Sequence, residues 1–124
     1  MKEFMLLIRT EGDYCAGMAP EVYQEHIRKV SNYIAKLMQD GKLKSAQPLD
    51  MDGAMLQGNN GVFKDGPFIE SKEMIVGYYH ILAMDLEEAK EIAKSNPIFQ
   101  DTAARIEIRP IKIDPGIILA GTVD

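Results

Sequence analysis

Residues 62–73 are VFKDGPFIESKE, a segment that joins an aspartate, a glycine-proline pair and an aromatic residue to a run of charges. Gly66 accepts backbone angles that are closed to other residues, while Pro67 fixes its own φ and pushes Gly66 toward extended conformations. Phe68 is suited to anchor the segment to a core. We therefore expect a rigid corner that gives Asp65 a defined direction. Its carboxylate then serves either a functional loop or a structural turn, in which it bonds neighbouring backbone amides.

The sequence on either side of this corner predicts alternating strands and helices. The apolar run over residues 4–8 is typical of a strand covered on both faces. Residues 20–40 predict a long helix that begins at Pro20 and stops at Gly41. Its apolar stripe consists of Tyr23, Ile27, Val30, Ile34, Leu37 and Met38. Further strands are predicted over residues 42–49, in a hairpin around residues 58–60, and over residues 74–84 and 105–113, with a capped helix that ends before Asn96 between the last two.

This order of elements predicts the fold class. The predicted order is a strand, a long helix, a strand pair, a strand, a helix and a strand. This order follows the ferredoxin-like βαββαβ plan of α+β proteins, in which both helices cover one face of the sheet. The other face then needs a cover of its own, which the apolar strand over residues 4–8 also indicates.

The segment that follows Lys64 resembles the signature of the DGPF-domain proteins, which are relatives of the YCII family. The motifs are Asp65-Gly66-Pro67-Phe68, Glu70-Ser71-Lys72-Glu73 and Gly77-Tyr78-Tyr79, with Met18-Ala19-Pro20-Glu21, Asp40-Gly41-Lys42-Leu43, Gln47-Pro48-Leu49 and Asn96-Pro97 elsewhere in the chain. The resemblance covers most of the chain and implies a single YCII-related (DGPF) domain over residues 1–124. It also implies a dimeric α+β barrel, so we expect a homodimer in which two sheets pack face to face.

The composition is that of an ordinary soluble globular domain. The chain has 124 residues, of which 46% are hydrophobic and 27% charged. Its net charge of −5, with lysines and arginines scattered among acidic residues, argues against direct nucleic-acid binding. The first apolar run stops at Arg9 and is too short for a signal sequence or a membrane span, so we expect a cytoplasmic protein without a membrane partner. Cys15 is the lone cysteine and therefore forms no internal disulfide.

His26 is the strongest candidate for proton transfer. An imidazole exchanges its proton near neutral pH, and the flank of the helix stripe is a position that can face a cleft. The resemblance implies the same role, because a histidine in this helix of the YCII relatives is proposed to form an active-site pair with an aspartate. We expect Asp65 to be that acidic partner, in preference to Asp50 and Asp52 on a more flexible turn. A packed histidine with one satisfied hydrogen bond is the structural alternative.

Four further residues are candidates for binding a substrate. Tyr78 and Tyr79 alternate on the strand over residues 74–84, so one of them points to the helices and the other to the opposite face, and either is also suited to a core. Arg9 and Arg109 offer the forked donors that hold a carboxylate, or else form surface ion pairs. His26 and His80 are the two histidines of the chain, and no cysteine pair or helix-spaced acidic set accompanies them. We therefore expect neither a metal nor a cofactor.

These features predict a small homodimer that binds an unknown small organic molecule in a cleft. With His26 and Asp65 it would carry out cofactor-free acid-base chemistry, an elimination or an isomerisation, which needs only an acid, a base and a closed pocket. The alternative is a module that binds a small ligand without converting it. Members of the family that this chain resembles are often encoded beside alternative sigma factors. The resemblance therefore implies a regulatory role in transcription control for such a module. A third interpretation is a dimerisation unit whose motif only shapes the fold.

Overall fold

Four strands form one antiparallel sheet. The computed structural model describes residues 1–67 and 73–113. Their elements are β1 (Lys2–Thr10), α1 (Pro20–Gln39), β2 (Leu43–Pro48), β3 (Ala54–Asn59), β4 (Val62–Pro67), β5 (Met74–Ala83), α2 (Leu86–Lys94), α3 (Ile98–Asp101) and β6 (Ala104–Pro110). The main sheet has the order β2-β5-β1-β6, and each neighbouring pair is antiparallel. Strands β3 and β4 form a separate two-stranded hairpin.

The main sheet and its helices confirm the predicted fold class. With the hairpin set aside, the chain runs β1, α1, β2, β5, α2 and β6, and the first and third of these four strands lie in the centre of the sheet. This is the ferredoxin-like βαββαβ arrangement, into which β3 and β4 are inserted between the second and third strands. The sheet packing of a dimeric barrel involves a second copy of the chain and stays a prediction.

The core lies between the helices and one face of the sheet. On β1 the side chains of Phe4, Leu6 and Ile8 are buried, whereas those of Met5 and Leu7 on the opposite face are half-buried. Strand β5 and helix α2 complete the core with Tyr79, Ile81, Ala83, Ala89, Ile92 and Ala93. Each large apolar side chain removed from water in this way stabilises the fold by about 1.5–3 kcal/mol. Within one chain, β1 is therefore fully covered on one face alone.

Helix α1 begins and ends where the sequence predicts, but its buried stripe is rotated. Pro20 stands at its first turn, and the helix stops at Gln39 before Gly41, whose φ is +71°. The predicted stripe residues Tyr23, Ile27 and Met38 are exposed, while His26 and Leu37 are buried. The difference arises because the first half of α1 buries the side of His26, which is hydrogen-bonded to Tyr14 and Asp101. His26 thus belongs to the buried stripe.

The hairpin corrects two predictions, namely the turn expected around residues 58–60 and the corner expected at Asp65. Its turn is Asn60-Gly61, with φ values of +52° and +79°, a pair of positive angles that suits a tight two-residue hairpin turn. Strand β4 then continues through Pro67, with Asp65 paired to Leu56 and Gly66 to Met55. The predicted corner at Asp65 is therefore wrong, because the extended backbone favoured before proline pairs with β3. Phe68 and the apolar residues 117–120 lie outside the described residues.

The connection from α2 to β6 contains a short helix that the sequence analysis missed. Asp85 Oδ1 accepts a hydrogen bond from the Glu88 amide at the start of α2, which confirms the predicted cap, and α2 ends before Asn96 as expected. The buried Asn96 then accepts a hydrogen bond from the Ile98 amide through Oδ1, at 3.0 Å, and this Asx-turn starts α3. Asp101 ends α3 and is thereby brought to the side of α1.

Candidate functional site

His26 is a buried imidazole with a partner on each ring nitrogen. Its side chain is 2% exposed. Nδ1 lies 2.6 Å from Asp101 Oδ2, and Nε2 lies 2.8 Å from the hydroxyl oxygen of Tyr14. Because helix α1 holds His26 on its buried stripe, the ring orientation is determined both by the helix and by these two partners. Both ring nitrogens of the buried imidazole are therefore satisfied within the chain.

Asp101 is held in place by two cationic or potentially cationic groups. Its second oxygen, Oδ1, accepts a hydrogen bond from Lys29 Nζ at 2.8 Å, one helical turn along α1 from His26. Burial raises the pKa of the Asp101 carboxyl, but the hydrogen bonds and charges of Lys29 and His26 outweigh it and leave this pKa below its ordinary value of 3.8. Asp101 is therefore a carboxylate at neutral pH, positioned to orient the imidazole and stabilise its charged form.

Tyr14 reaches His26 from the loop between β1 and α1. Asp13 shapes this loop, since its carbonyl oxygen accepts a hydrogen bond from the Ala16 amide and its Oδ1 accepts one from the Cys15 amide. The Tyr14 ring packs edge-on against the imidazole, with 5.3 Å between the ring centroids. Burial is the main cause that raises the pKa of the Tyr14 hydroxyl, so this group stays protonated at neutral pH.

Asp101 and Tyr14 together satisfy both ring nitrogens of His26 in both of its protonation states. With the ring neutral, Nδ1–H donates to the Asp101 carboxylate and Nε2 accepts from the Tyr14 hydroxyl. When Nε2 gains a proton, it donates to the hydroxyl oxygen of Tyr14, which is able to reverse its role. The site can therefore accept or release one proton without leaving a buried nitrogen unpaired, as a group that transfers protons requires.

A cavity of about 140 Å³ lies beside His26. Helix α1, strands β1, β2 and β5 and the start of α3 surround it, and most of its wall is apolar, with Ile8, Val30, Ile34 and Val76 among the contributors. The residues of the lining that carry polar groups are His26, Gln47, Asn96 and the three tyrosines Tyr14, Tyr78 and Tyr79. Apart from His26, no side chain of the described lining can carry a charge at neutral pH. The cavity is therefore suited to a small uncharged molecule.

The structure places Asp65 away from the role predicted for it. Asp65 is exposed on β4 of the separate hairpin, whereas both ring nitrogens of His26 are bonded to Asp101 and Tyr14. Within the described chain Asp65 is therefore not hydrogen-bonded to His26, because no ring nitrogen is left for a second carboxylate. A catalytic role for Asp65 beside His26 stays a prediction. The acidic partner of His26 is Asp101.

The four predicted substrate-binding residues separate into two pairs. Tyr78 and Tyr79 both contribute to the lining of the cavity. Tyr79 points to the helices, where it is buried and packs edge-on against Tyr33 of α1, which resolves the alternation that the sequence left open. Arg9 and Arg109 are absent from the described lining.

Arg9 and Arg109 instead take the alternative role of ion-pair members. Arg9 donates from Nε and Nη2 to Glu107 Oε1 at 3.2 and 2.9 Å. Arg109 is largely exposed and lies 3.8 Å from the other oxygen of Glu107. Both pairs lie on β1 and β6, and their partial exposure makes each worth less than about 1 kcal/mol.

Comparison with known proteins agrees with this fold. A family model described as the YCII-related domain matches residues 2–112. The chain belongs to the YCII-related family. It is also 25% identical over 114 residues to the uncharacterized protein R00369 of Rhizobium meliloti (strain 1021), a match that spans 89% of this chain and 92% of that protein. The resemblance inferred from the sequence motifs is thereby confirmed, and DGPF is a label for the same family.

The described residues show neither a metal-binding cluster nor a helix that could cross a membrane. Within residues 1–67 and 73–113 of this YCII-related chain, no group of three or more histidine, cysteine or acidic side chains is arranged to hold a metal ion. Among the described helices, α1 included, none has the length and apolar character that a membrane crossing requires.

The lowered pKa of Asp101 predicts a change of stability in acid. Because the folded carboxyl binds a proton less tightly than the unfolded one, its contribution is complete well above pH 3.8 and is lost as the pH falls through this value to the lower folded pKa. We expect Asp101→Asn to lose stability at neutral pH and to approach the wild-type free energy of unfolding in acid. Denaturant unfolding from about pH 6 to about pH 2 measures this difference. The exposed Asp52→Asn is the control, and an Asp101→Asn deficit that is the same at every pH would contradict the prediction.

Proposed function

We propose that this YCII-related protein binds a small uncharged organic molecule beside His26 and transfers a proton on it without a cofactor, in an elimination or an isomerisation. One observation carries the proposal. A buried imidazole, fixed by Asp101 at 2.6 Å and Tyr14 at 2.8 Å, forms part of the wall of an apolar cavity. A base and its orienting carboxylate are thereby combined with an apolar pocket, and base catalysis by such a group contributes about 10²–10⁴-fold in rate.

The volume and lining of the cavity support a small uncharged molecule as the ligand. Its volume of about 140 Å³ is close to that of apolar cavities that hold a benzene ring. A charged molecule would lose its hydration there, and no fixed counter-charge in the described lining would replace it.

Ligand binding without conversion is the competing function. The observation in its favour is that both ring nitrogens of His26 already have partners within the chain, which is also how a purely structural histidine is satisfied. A regulatory module linked to transcription control would use the same cavity to sense a metabolite. The two functions share the binding step and differ in whether the bound molecule leaves unchanged.

A metabolite screen separates these functions. Uncharged compounds of ring size or smaller are tested for a rise in the melting temperature, and each hit is then incubated with the protein and followed by NMR. We expect at least one hit to be converted, with binding lost when Val30→Trp fills the cavity. Hits that bind and return unchanged would favour the sensor. Hits whose binding survives Val30→Trp would show that the cavity beside His26 is not the site.

We also propose that the protein is a cytoplasmic homodimer that pairs the uncovered faces of two sheets. Met5 and Leu7 of β1 and Tyr78 of β5 form a half-buried, mainly apolar centre on this face, with Arg9 and Glu107 toward its edge. An apolar centre inside a polar rim is typical of an interface, and a two-fold axis lets the same face serve both copies. The lone Cys15 fits a reducing compartment.

The variant Leu7→Glu is expected to separate the dimer. It places a charge in the centre of each uncovered face, where the partner's copy of the same charge opposes it, and unpaired buried charges are strongly destabilising. Light scattering at micromolar concentration should give twice the chain mass of 13.9 kDa for the wild type and a single chain for the variant. Val22→Glu on the exposed side of α1 is the matched control. A wild-type mass of one chain would contradict the homodimer.

A further inference from the structure

The hydroxyl of Tyr14 is the next group after His26 in a hydrogen-bonded chain that continues to the Cys15 thiol. Asp101 occupies Nδ1 of the imidazole, and the other nitrogen, Nε2, is covered by the Tyr14 hydroxyl at 2.8 Å. His26 is 2% exposed, whereas Tyr14 is half-buried and lines the cavity. A molecule that enters the cavity therefore reaches the oxygen of Tyr14 while the nitrogen of His26 is still shielded.

The connectivity of these groups is that of an activated hydroxyl. A hydroxyl bonded to an imidazole nitrogen, whose second nitrogen is oriented by a carboxylate, is the arrangement by which enzymes activate a side chain that is inert on its own. Here the hydroxyl is the phenol of Tyr14, the base is His26, and Asp101 is the orienting group. Lys29, bonded to the far oxygen of Asp101, helps keep that carboxylate ionised.

We propose that Tyr14 is a catalytic residue that contacts the bound molecule and relays a proton between it and His26. The inference rests on the proposed proton-transfer function and adds to it the atom through which the proton passes. The phenol is neutral at rest, so it neither repels an uncharged molecule nor needs a counter-charge in the apolar cavity.

The relay balances without an external reagent. The bound molecule gives its proton to Tyr14 Oη while the phenol's own proton moves to Nε2 of His26, and the Asp101 carboxylate stabilises the resulting imidazolium. The electron pair of the broken bond shifts within the bound molecule. Return of the proton through Tyr14 to a different atom completes an isomerisation. In an elimination the leaving group departs with the electron pair of its bond and takes the proton back through Tyr14, which restores neutral His26.

Benzenesulfonyl fluoride tests the relay, because its ring suits the cavity and it reacts with a hydroxyl that a base activates. Tyr14 Oη would form a bond to sulfur, the sulfur-fluorine bond would break, fluoride would leave, and the phenol proton would pass to His26. Peptide mass spectrometry then locates the label. We expect wild-type Tyr14 to react at least about tenfold faster than Tyr23, which is 44% exposed but has no imidazole partner in the described residues. Asp101→Asn should remove most of this advantage, while Tyr33→Phe should leave it unchanged.

Two results would overturn the inference. Labelling of Tyr14 no faster than that of Tyr23 would show that the phenol is not activated, and labelling of His26 itself would show that the imidazole faces the molecule directly. Neither result would remove the proposed function, which fails separately if the metabolite screen finds no compound that is both bound and converted. A converted ligand whose turnover survives Tyr14→Phe would likewise end the relay and leave proton transfer to His26.

Discussion

Asp101→Asn is expected to lower turnover of the converted ligand by about 10²–10⁴-fold while changing its affinity little. The amide has two orientations, and neither replaces the carboxylate. If its oxygen accepts from Nδ1–H of His26, the negative charge that stabilises the imidazolium is missing. If its nitrogen donates to Nδ1, the ring is forced into the opposite tautomer, and Nε2 can no longer accept the proton from Tyr14. Single-turnover NMR at saturating ligand separates the rate from the affinity.

Asp65→Asn is the matched control for this experiment. This variant makes the same chemical change, aspartate to asparagine, in the residue that the sequence motif indicates as the acidic partner. Asp65 is exposed on β4 and lies outside the described lining of the cavity. Turnover should stay within about twofold, and stability within about 0.5 kcal/mol, of the wild type. A loss of turnover in Asp65→Asn that matches the loss in Asp101→Asn would mean that the hairpin takes part in the site, for example by contact from a second copy of the chain.

His26→Ala is expected to lower the free energy of unfolding by about 2–4 kcal/mol. Two losses add up in this variant. Removal of the imidazole leaves a buried void, because the His26 side chain is only 2% exposed. In addition, the hydroxyl of Tyr14 and the carboxylate of Asp101 each lose a hydrogen-bond partner. Urea denaturation at neutral pH, with the midpoint and the slope fitted together, measures the difference.

His80→Ala provides the internal comparison. His80 also bonds a carboxylate, with Nε2 at 2.7 Å from Glu3, but it lies on the uncovered face of the sheet and is 23% exposed. Water can replace this partner, so the expected cost is below about 1 kcal/mol. Equal costs for His26→Ala and His80→Ala would contradict the buried, doubly bonded position of His26.

The sequence was sufficient for the fold because its signals are local and repeated. Pro20 and Gly41 mark the ends of α1, the apolar run over residues 4–8 marks β1, and the order of the elements leaves few ways to build one sheet. The rotation of the α1 stripe was not accessible in this way. Histidine is a polar residue, so the apolar period of α1 alone places His26 on the flank of the stripe. In the structure two hydrogen bonds satisfy its ring nitrogens and allow it to be buried.

The partners of His26 were harder to predict than His26 itself. Asp101 is 75 residues away along the chain and belongs to a four-residue helix, which is too short to show a period. The Asn96-Pro97 pair was the available signal, since it favours a turn that starts such a helix. Tyr14 lies in a loop without any period.

The error at Asp65 has a physical cause. Glycine before proline is compatible with a corner, but it is equally compatible with an extended strand, and the choice depends on whether a partner strand is available. Residues 54–59 provide that partner through β3, and their pairing carries the backbone straight through Asp65 and Gly66. The carboxylate that is hydrogen-bonded to His26 thus belongs to α3 and not to the motif.

A nitrogen-proton NMR spectrum of the His26 ring tests most directly whether Asp101 and Tyr14 hold the imidazole for proton transfer. We predict that Nδ1 keeps its proton in both protonation states, that Nε2 alone gains and loses one, and that Asp101→Asn shifts the Nδ1 signal while Asp65→Asn does not. A neutral ring with its proton on Nε2, or signals that respond to Asp65→Asn as strongly as to Asp101→Asn, would contradict this arrangement.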